Sequence, residues 1–276
     1  MHRAYKQLAA LLAFATLATP ARADDDAPPR PAVEISAQSF RVPGPDGGEL
    51  RDVFVWRPDN AEGVLPVLYM TDGFTGLRLV AHQIAPYIAT GEAAPIMIVA
   101  TAAHPYERSR EYAPPYRERH TYFTNHRDWF VNVIVPWAEA TQQASRERMR
   151  RAVGGYSNGG DFAVAMAAFR PDLFGLVLVH APANPREEWV LPSAATQRWL
   201  VTGGTRDFDG EVARELERQL APTGAFRRVC IGPWDHTARP WRQLSRGSVM
   251  WLFGNTEAAA LMASEREAQY CEDITS

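Results

Sequence analysis

The most informative stretch of the sequence is AVGGYSNGGDFAVAMAAF, residues 152–169. It begins with a short apolar run typical of a buried strand, turns at Gly155-Tyr156-Ser157-Asn158-Gly159, and continues as an alanine-rich segment typical of a helix. A Gly-x-Ser-x-Gly turn between a strand and a helix lifts the serine hydroxyl out of the sheet, and its glycines let neighbouring elements pack closely. The stretch therefore predicts a strand, a sharp turn and a helix, with Ser157 as a nucleophile.

Strand-like and helix-like segments alternate on both sides of this turn. An opening antiparallel hairpin is predicted at Val33–Phe40 and Glu49–Trp56. Short apolar runs predict buried parallel strands at Pro66–Met70, Pro95–Ala100, Ala152–Tyr156, Leu176–His180, Trp199–Thr202 and Arg228–Ile231. Helices are predicted at Leu77–Ala89, Asp128–Gln143, Gly159–Phe169, Gly210–Leu220 and Pro240–Trp251. The alternation indicates an α/β fold with a mostly parallel central sheet, helices on both faces, and ligands bound at the carboxyl ends of the strands.

The N-terminus and the basic residues limit the compartment and the chemistry. Residues 1–23 combine a positively charged start, an apolar run and Ala21-Arg22-Ala23, which predicts a secretory signal peptide and a periplasmic or secreted protein. A linker at 24–32 and a single domain at 33–276 would follow. The apolar run falls short of the ~20 residues that a membrane span needs.

Lys6 is the only lysine, so a mature chain would lack a Schiff-base lysine and a P-loop lysine. A net charge of −3 with scattered arginines argues against a nucleic-acid partner.

A serine nucleophile needs a histidine base, and two histidines follow Ser157 in the chain. His180 ends a predicted strand directly after the helix of the turn, which suits a core or pocket-lining position. His236 lies in a loop after the last predicted strand, where its imidazole can reach the serine. His236 is therefore the predicted base.

The base in turn needs a carboxylate that holds its tautomer, and this acid precedes the histidine along the chain. Asp207 follows a predicted strand end and is the chosen acid, with Asp209 as the alternate. Asp235 adjoins His236 and could seldom turn back onto its own neighbour. The predicted triad is Ser157, Asp207 and His236.

The charge that develops on the substrate oxygen needs backbone N–H donors. One is expected from Asn158, directly after the nucleophile, and the other from Phe74, in the loop after the strand Pro66–Met70.

The chain resembles the branch of the α/β hydrolases that contains enterochelin esterases, antigen 85 mycolyltransferases and feruloyl esterases. The motifs that carry the resemblance are LYMTDG at 68–73, RSREY at 108–112, VPW at 135–137, the turn at 155–160, RPDLFG at 170–175, and His236 followed by Trp241 and WLF at 251–253. The resemblance implies a serine esterase that needs no cofactor, with triad positions at Ser157, Asp207 and His236 and an oxyanion donor at Phe74.

Two positions depart from the pattern of these relatives, and three others are expected to contact substrate. Val133 stands where many relatives carry an acid, and Trp234-Asp235 precedes the histidine where relatives commonly show Gly-Gly. The second change affects the pocket rim. Arg108, Tyr112 and Trp234 are expected to contact substrate, although Arg108 and Glu111 could equally form an ion pair that shapes their loop.

The histidines of the segment 101–127 and the two cysteines do not predict a metal site. His104, His120 and His126 lie in the segment 101–127, which is expected to be a lid or pocket wall, and their spacing fits no usual zinc pattern. Cys230 and Cys271 could pair in an oxidising compartment, or could remain separate thiols.

The sequence is compatible with several functions. The first is an enterochelin esterase-like hydrolase acting on a siderophore lactone or another small ester. A feruloyl or acetyl carbohydrate esterase and an acyltransferase to sugar would use the same triad. A non-catalytic envelope binding protein could keep the same fold.

Overall fold

The computed structural model of the protein describes residues 33–45, 47, 49–113, 121–184, 194–254 and 269–274. These residues form one nine-stranded sheet in the order β1-β2-β4-β3-β5-β6-β7-β8-β9. The strands are β1 (Gln38–Pro43), β2 (Leu50–Trp56), β3 (Val67–Met70), β4 (Met97–Thr101), β5 (Arg151–Tyr156), β6 (Leu176–His180), β7 (Arg198–Gly204), β8 (Phe226–Gly232) and β9 (Cys271–Ile274). Six neighbouring strands pair in parallel, in the order β4, β3, β5, β6, β7 and β8. Strands β1, β2 and β9 extend the sheet by antiparallel pairing.

Helices cover both faces of the sheet. They are α1 (Gly73–Ala89), α2 (Arg108–Tyr112), α3 (Thr121–Trp129), a π-helical turn (Phe130–Ile134), α4 (Val135–Thr141), α5 (Asn158–Phe169), α6 (Asp209–Leu220) and α7 (Ala238–Phe253). One apolar cluster includes side chains of α3 to α6, and a second includes side chains of α1 and α7. The central strands are buried because each face of the sheet meets one of these clusters, which confirms the predicted layers.

The predicted elements recur with local differences. The first strand is shifted along the chain, because β1 spans Gln38–Pro43 where Val33–Phe40 was predicted. The segment predicted as one helix, Asp128–Gln143, is divided by the π-helical turn ahead of Pro136, which lies in the first turn of α4. Proline lacks an N–H and clashes with the preceding turn, and a wider turn relieves both constraints. The predicted lid at 101–127 contains α2 and α3, and its residues 114–120 lie outside the described part of the chain.

The N-terminal predictions also fall outside the structure. The predicted signal peptide, 1–23, and linker, 24–32, precede the first described residue. Among the described residues, no helix is long and apolar enough to cross a membrane.

Strand β9 was missing from the sequence-based prediction, and a disulfide attaches it to the sheet. Cys271 lies opposite Cys230 in the antiparallel pair β8–β9, and the two form a disulfide across 41 residues of sequence. Tyr270 adds a backbone contact, because its carbonyl oxygen accepts the Ile231 N–H at 2.9 Å. Of the two alternatives for these cysteines, the structure therefore contains the bridge.

Removing this bridge should destabilise the fold. Cys271→Ser is expected to lower the free energy of unfolding by ~2–4 kcal/mol, because the crosslink no longer restricts the unfolded chain. Urea unfolding of the wild type and the variant, each with and without reductant, measures the difference. Reductant should shift only the wild type. Equal stability of the two proteins without reductant would contradict the prediction.

Candidate active site

Ser157 occupies a strained turn between β5 and α5. Its backbone has φ 58° and ψ −128°, a conformation that non-glycine residues rarely adopt. The turn is compact because glycines surround it. A Cβ on Gly155 would lie 2.2 Å from the carbonyl oxygen of Gly159, and one on Gly159 would lie 2.1 Å from Thr71 Oγ1. The Ser157 N–H donates to the His180 carbonyl at 3.0 Å, which fixes the turn against the end of β6.

His236 meets the serine from the loop between β8 and α7. Its Nε2 lies 3.0 Å from Ser157 Oγ. Its Nδ1 lies 3.3 Å from Asp209 Oδ1. A hydroxyl, an imidazole and a carboxylate thus stand in sequence at the carboxyl edge of the parallel sheet, where ligands bind in such folds.

The carboxylate in this arrangement belongs to Asp209, so the prediction of Asp207 is wrong and the alternate takes its place. Strand β7 continues to Gly204, two residues beyond its predicted end, and Asp209 is the first residue of α6. Asp209 is fully buried, and its Oδ2 accepts the Gly204 N–H at 2.8 Å. Asp207 is exposed and its Oδ1 accepts the N–H of the next residue, Phe208, at 2.8 Å. Asp235 is also exposed and binds the Thr237 hydroxyl.

The two predicted oxyanion donors lie in the first turns of two helices. Asn158 is the first residue of α5, and Phe74 is the second residue of α1. Backbone N–H groups at these positions have no acceptor within their own helix, and the helix dipole makes this end electropositive. The helices follow β5 and β3, which are adjacent strands. Both N–H groups are therefore available at the same edge of the sheet as Ser157.

Tyr112, which was predicted to contact substrate, is buried within the fold instead. Its side chain is fully buried, and its hydroxyl oxygen accepts the Asp72 N–H at 3.0 Å and lies 3.3 Å from the Thr101 carbonyl oxygen, to which it donates. Asp72 directly precedes α1 and has a left-handed backbone, with φ 66°. Tyr112 therefore holds the loop that presents the Phe74 N–H.

Arg108 acts on the same loop. Its Nε and Nη2 both bind the Asp72 carboxylate, with Nη2 2.9 Å from Oδ2, and Nη2 lies 3.3 Å from the Tyr156 carbonyl oxygen. These hydrogen bonds with Asp72 raise the pKa of Arg108, so the guanidinium stays charged. The ion pair considered between Arg108 and Glu111 is absent. Arg108 connects the α1 loop to the serine turn, a role the sequence did not predict.

Glu111 belongs to a separate buried cluster. Its carboxylate binds Arg51 at 2.8 Å and accepts the His104 N–H at 2.8 Å, with His126 Nδ1 3.4 Å away. Burial, followed by the charge of Arg51, lowers the pKa of His126 to about 3, so its imidazole is neutral. Among the described residues, no group of three or more His, Cys, Asp or Glu side chains could hold a metal ion; His120 is not described.

Trp234 and His180 both pack against the Trp241 ring. Trp234 is half-buried, and its ring lies 6.2 Å from the Trp241 ring and 5.6 Å from the Tyr270 ring. Trp234 lies two residues before His236 in the same loop, and its expected contact with substrate stays a prediction. His180 is buried and its Nδ1 lies 2.9 Å from Thr202 Oγ1; burial lowers its pKa to about 3. His180 therefore has the core position that the sequence indicated.

Replacing Tyr112 tests whether its side chain supports the Asp72 loop or contacts substrate. Tyr112→Phe leaves the buried Asp72 N–H without its partner and is expected to lower the free energy of unfolding by ~1–3 kcal/mol. Because Tyr112 is fully buried, KM for a small ester should stay within about twofold of the wild-type value. Urea unfolding and steady-state kinetics measure the two effects. Tyr122→Phe, on an exposed side chain of α3, is the matched control. A several-fold rise in KM without loss of stability would contradict this account.

The sheet order, the serine turn and the histidine–carboxylate pair together define an α/β-hydrolase fold. The sequence matches the family described as "Putative esterase" over residues 48–268, and the chain belongs to this family. It is accordingly an ester-hydrolysing enzyme, which favours catalysis over the non-catalytic binding protein. Among curated proteins, none matches this sequence.

Solved structures with the same fold include esterases of two kinds. A ferulic acid esterase is 16% identical, with a TM-score of 0.67 over 80% of this chain and 99% of that chain. Enterochelin esterase from Shigella flexneri is 18% identical, with a TM-score of 0.67 over 85% of this chain and 62% of that one. A CE1 ferulic acid esterase from Anaeromyces mucronatus is 18% identical, with a TM-score of 0.63 over 84% and 96%. The chain thus spans about three fifths of the enterochelin esterase, and at these identities the likeness shows the fold alone.

Proposed function

We propose that the protein is an exported serine carboxylic-ester hydrolase that works through a Ser157–His236–Asp209 triad. The observation that carries the proposal is the 3.0 Å contact between His236 Nε2 and Ser157 Oγ, formed at a strained turn that few serines adopt. The buried Asp209 carboxylate on the other side of the imidazole supports it.

The chemistry follows from this order of groups. His236 takes the proton of the Ser157 hydroxyl as Oγ attacks the ester carbonyl carbon, and then gives that proton to the leaving alkoxide. Water, activated by the same imidazole, cleaves the acyl-enzyme and restores the hydroxyl. Asp209 holds the tautomer with a proton on Nδ1 and stabilises the imidazolium. No step requires a cofactor.

The negative charge on the tetrahedral oxygen would be bound by the backbone N–H groups of Asn158 and Phe74. Both belong to first helical turns at the carboxyl edge of the sheet, and donors that are fixed before the reaction stabilise developing charge without reorganising. Arg108 and Tyr112 would fix the Phe74 loop through their contacts with Asp72.

The substrate proposed is a small ester with an aromatic acid, either free or linked to a carbohydrate. Phe74 and Phe208 are large apolar side chains that remain 40% and 49% exposed, and each is adjacent to a proposed catalytic element. An aromatic acyl group would cover them. Structural neighbours are described with ferulic acid and with 2,3-dihydroxy-N-benzoyl-glycine, which are both carboxylic acids that carry an aromatic ring. An acetyl ester of a carbohydrate, or transfer of the acyl group to a sugar, is the alternative.

Export is proposed from two features. Residues 1–23 have the pattern of a signal peptide. The Cys230–Cys271 bridge suits an oxidising compartment such as the periplasm or the exterior. N-terminal sequencing of protein from the periplasmic fraction should find Asp24 first, and recovery of uncleaved protein from the cytosol would contradict export.

A panel of esters tests the activity and the substrate class. Methyl ferulate, a 2,3-dihydroxybenzoyl ester and an acetyl sugar are compared, with Ser157→Ala as the blank and free sugar as a possible acceptor. We expect kcat/KM for the aromatic esters to exceed that for the acetyl ester by at least about tenfold. Preference for the acetyl sugar would overturn the aromatic substrate, and acyl-sugar product in excess of free acid would favour the transferase. Hydrolysis no faster than the blank would overturn the activity.

A further inference from the structure

Five aromatic rings form a column that passes through His236. From the surface inward the rings belong to Phe208, His236, Tyr156, Trp241 and His180, and consecutive centroids lie 4.8, 5.1, 5.8 and 6.0 Å apart. Consecutive ring planes are tilted by 31° to 38°. The imidazole of His236 therefore packs against two aromatic rings, those of Phe208 and Tyr156.

The two flanking rings come from residues next to the proposed triad in the chain. Tyr156 directly precedes Ser157, and Phe208 directly precedes Asp209. The position of the imidazole is thus coupled to the serine turn through the Tyr156 ring and to the start of α6 through the Phe208 ring. The Tyr156 hydroxyl also donates to the carbonyl oxygen of His236 at 2.9 Å, which ties the histidine loop to the end of β5.

The carboxylate contact alone leaves the imidazole incompletely restrained. The 3.3 Å separation between His236 Nδ1 and Asp209 Oδ1 does not meet hydrogen-bond geometry, and in the described part of the chain neither atom has another hydrogen-bonding partner. A ring held at one edge by a long contact can still tilt. The Phe208 and Tyr156 rings, whose centroids lie 4.8 and 5.1 Å from the imidazole centroid, oppose that tilt by close packing.

We infer that Tyr156 and Phe208 are positioning residues that clamp the imidazole of His236 for proton transfer, an inference that rests on the proposed triad. The clamp acts in two ways. It keeps Nε2 aimed at Ser157 Oγ. It also presents two electron-rich ring faces to the imidazolium that forms when His236 takes the serine proton. Both effects are strongest during acylation and deacylation, so the clamp raises kcat more than it affects binding.

Substitutions at Phe208 test the clamp without disturbing the core, because this side chain is half exposed. Phe208→Leu keeps an apolar side chain and removes the ring, whereas Phe208→Tyr keeps the ring. We expect Phe208→Leu to lower kcat for 4-nitrophenyl acetate about tenfold with KM within about twofold of wild type. Phe208→Tyr should restore kcat to within about threefold of wild type. Because the acetyl group of this substrate is small, a fall in kcat cannot be attributed to a lost contact between Phe208 and a large acyl group.

A second measurement follows the nucleophile directly. The rate at which a fluorophosphonate labels Ser157 should fall in Phe208→Leu in parallel with kcat and recover in Phe208→Tyr, since labelling needs the same proton transfer. Phe169→Leu, on an aromatic side chain of similar exposure at the end of α5, is the matched control and should leave both rates unchanged. Tyr156→Phe keeps the ring but loses the hydrogen bond to the His236 loop, and should lower kcat less than Phe208→Leu does.

Each outcome decides between the inference and its alternatives. Equal kcat and equal labelling in wild type and Phe208→Leu would overturn the clamp while leaving the triad intact. For 4-nitrophenyl acetate, a change confined to KM, or the same loss in Phe208→Tyr as in Phe208→Leu, would also overturn it, because Phe208 would then act through substrate binding alone or through its packing, and not on proton transfer. Absence of labelling at Ser157 in the wild type would overturn the proposed triad and the clamp with it.

Discussion

Ser157→Ala is expected to lower kcat by ~10⁴–10⁶ while leaving the fold intact. The serine Oγ is the only atom removed, and it is the proposed nucleophile at 3.0 Å from His236 Nε2. Without it no acyl-enzyme can form, and only the residual effect of substrate binding and the backbone donors remains. Steady-state hydrolysis of an aryl ester measures the loss, and the unfolding midpoint of the variant checks that the protein is folded.

A second serine gives the matched control. Ser39 lies exposed on the edge strand β1, at the opposite side of the sheet order from His236, so Ser39→Ala should retain full activity. Activity of Ser157→Ala within tenfold of wild type would exclude Ser157 as the nucleophile.

Asp209→Asn is expected to lower kcat by about 10³–10⁴, whereas Asp207→Asn should change it by less than about threefold. An asparagine amide at position 209 would favour the imidazole tautomer whose proton lies on Nε2, which cannot accept the serine proton. Asp207 is exposed and its carboxylate faces its own backbone rather than the imidazole. The two aspartates are two residues apart and carry the same charge, so the pair controls for the general electrostatic effect of losing a carboxylate.

Asp209 also accepts the Gly204 N–H, so the stability of the variant must be measured alongside its activity. Asparagine keeps an oxygen that can accept this hydrogen bond, and most of the folded population should remain. The reverse ranking of the two variants would make Asp207 the acid and would contradict the arrangement at the start of α6.

The fold could be predicted from the sequence because its signals are local. Apolar runs of four to six residues mark the central strands, and the glycines around Ser157 mark the serine turn. Strand β9 could not be predicted in this way. It spans Cys271–Ile274 and pairs with β8 across a long separation in sequence, so no periodic pattern indicates it.

The site was less predictable because its details depend on turn geometry. Asp207 and Asp209 both follow β7, and only the course of the turn at 205–208 determines which carboxylate faces His236. Tyr112 was predicted to contact substrate, yet its side chain is buried and its hydroxyl binds the Asp72 N–H. Tyr156 and Phe208 could have been noticed as aromatic residues that directly precede Ser157 and Asp209, but nothing in the sequence shows that their rings meet the same imidazole.

Whether Ser157 is an activated nucleophile can be measured by labelling the purified protein with a fluorophosphonate and locating the adduct by peptide mass spectrometry. We expect a single adduct on Ser157 in the wild type, none in Ser157→Ala, and labelling that is strongly slowed in Asp209→Asn but not in Asp207→Asn. An adduct on another serine, or a folded wild-type protein that does not react, would contradict the proposed triad.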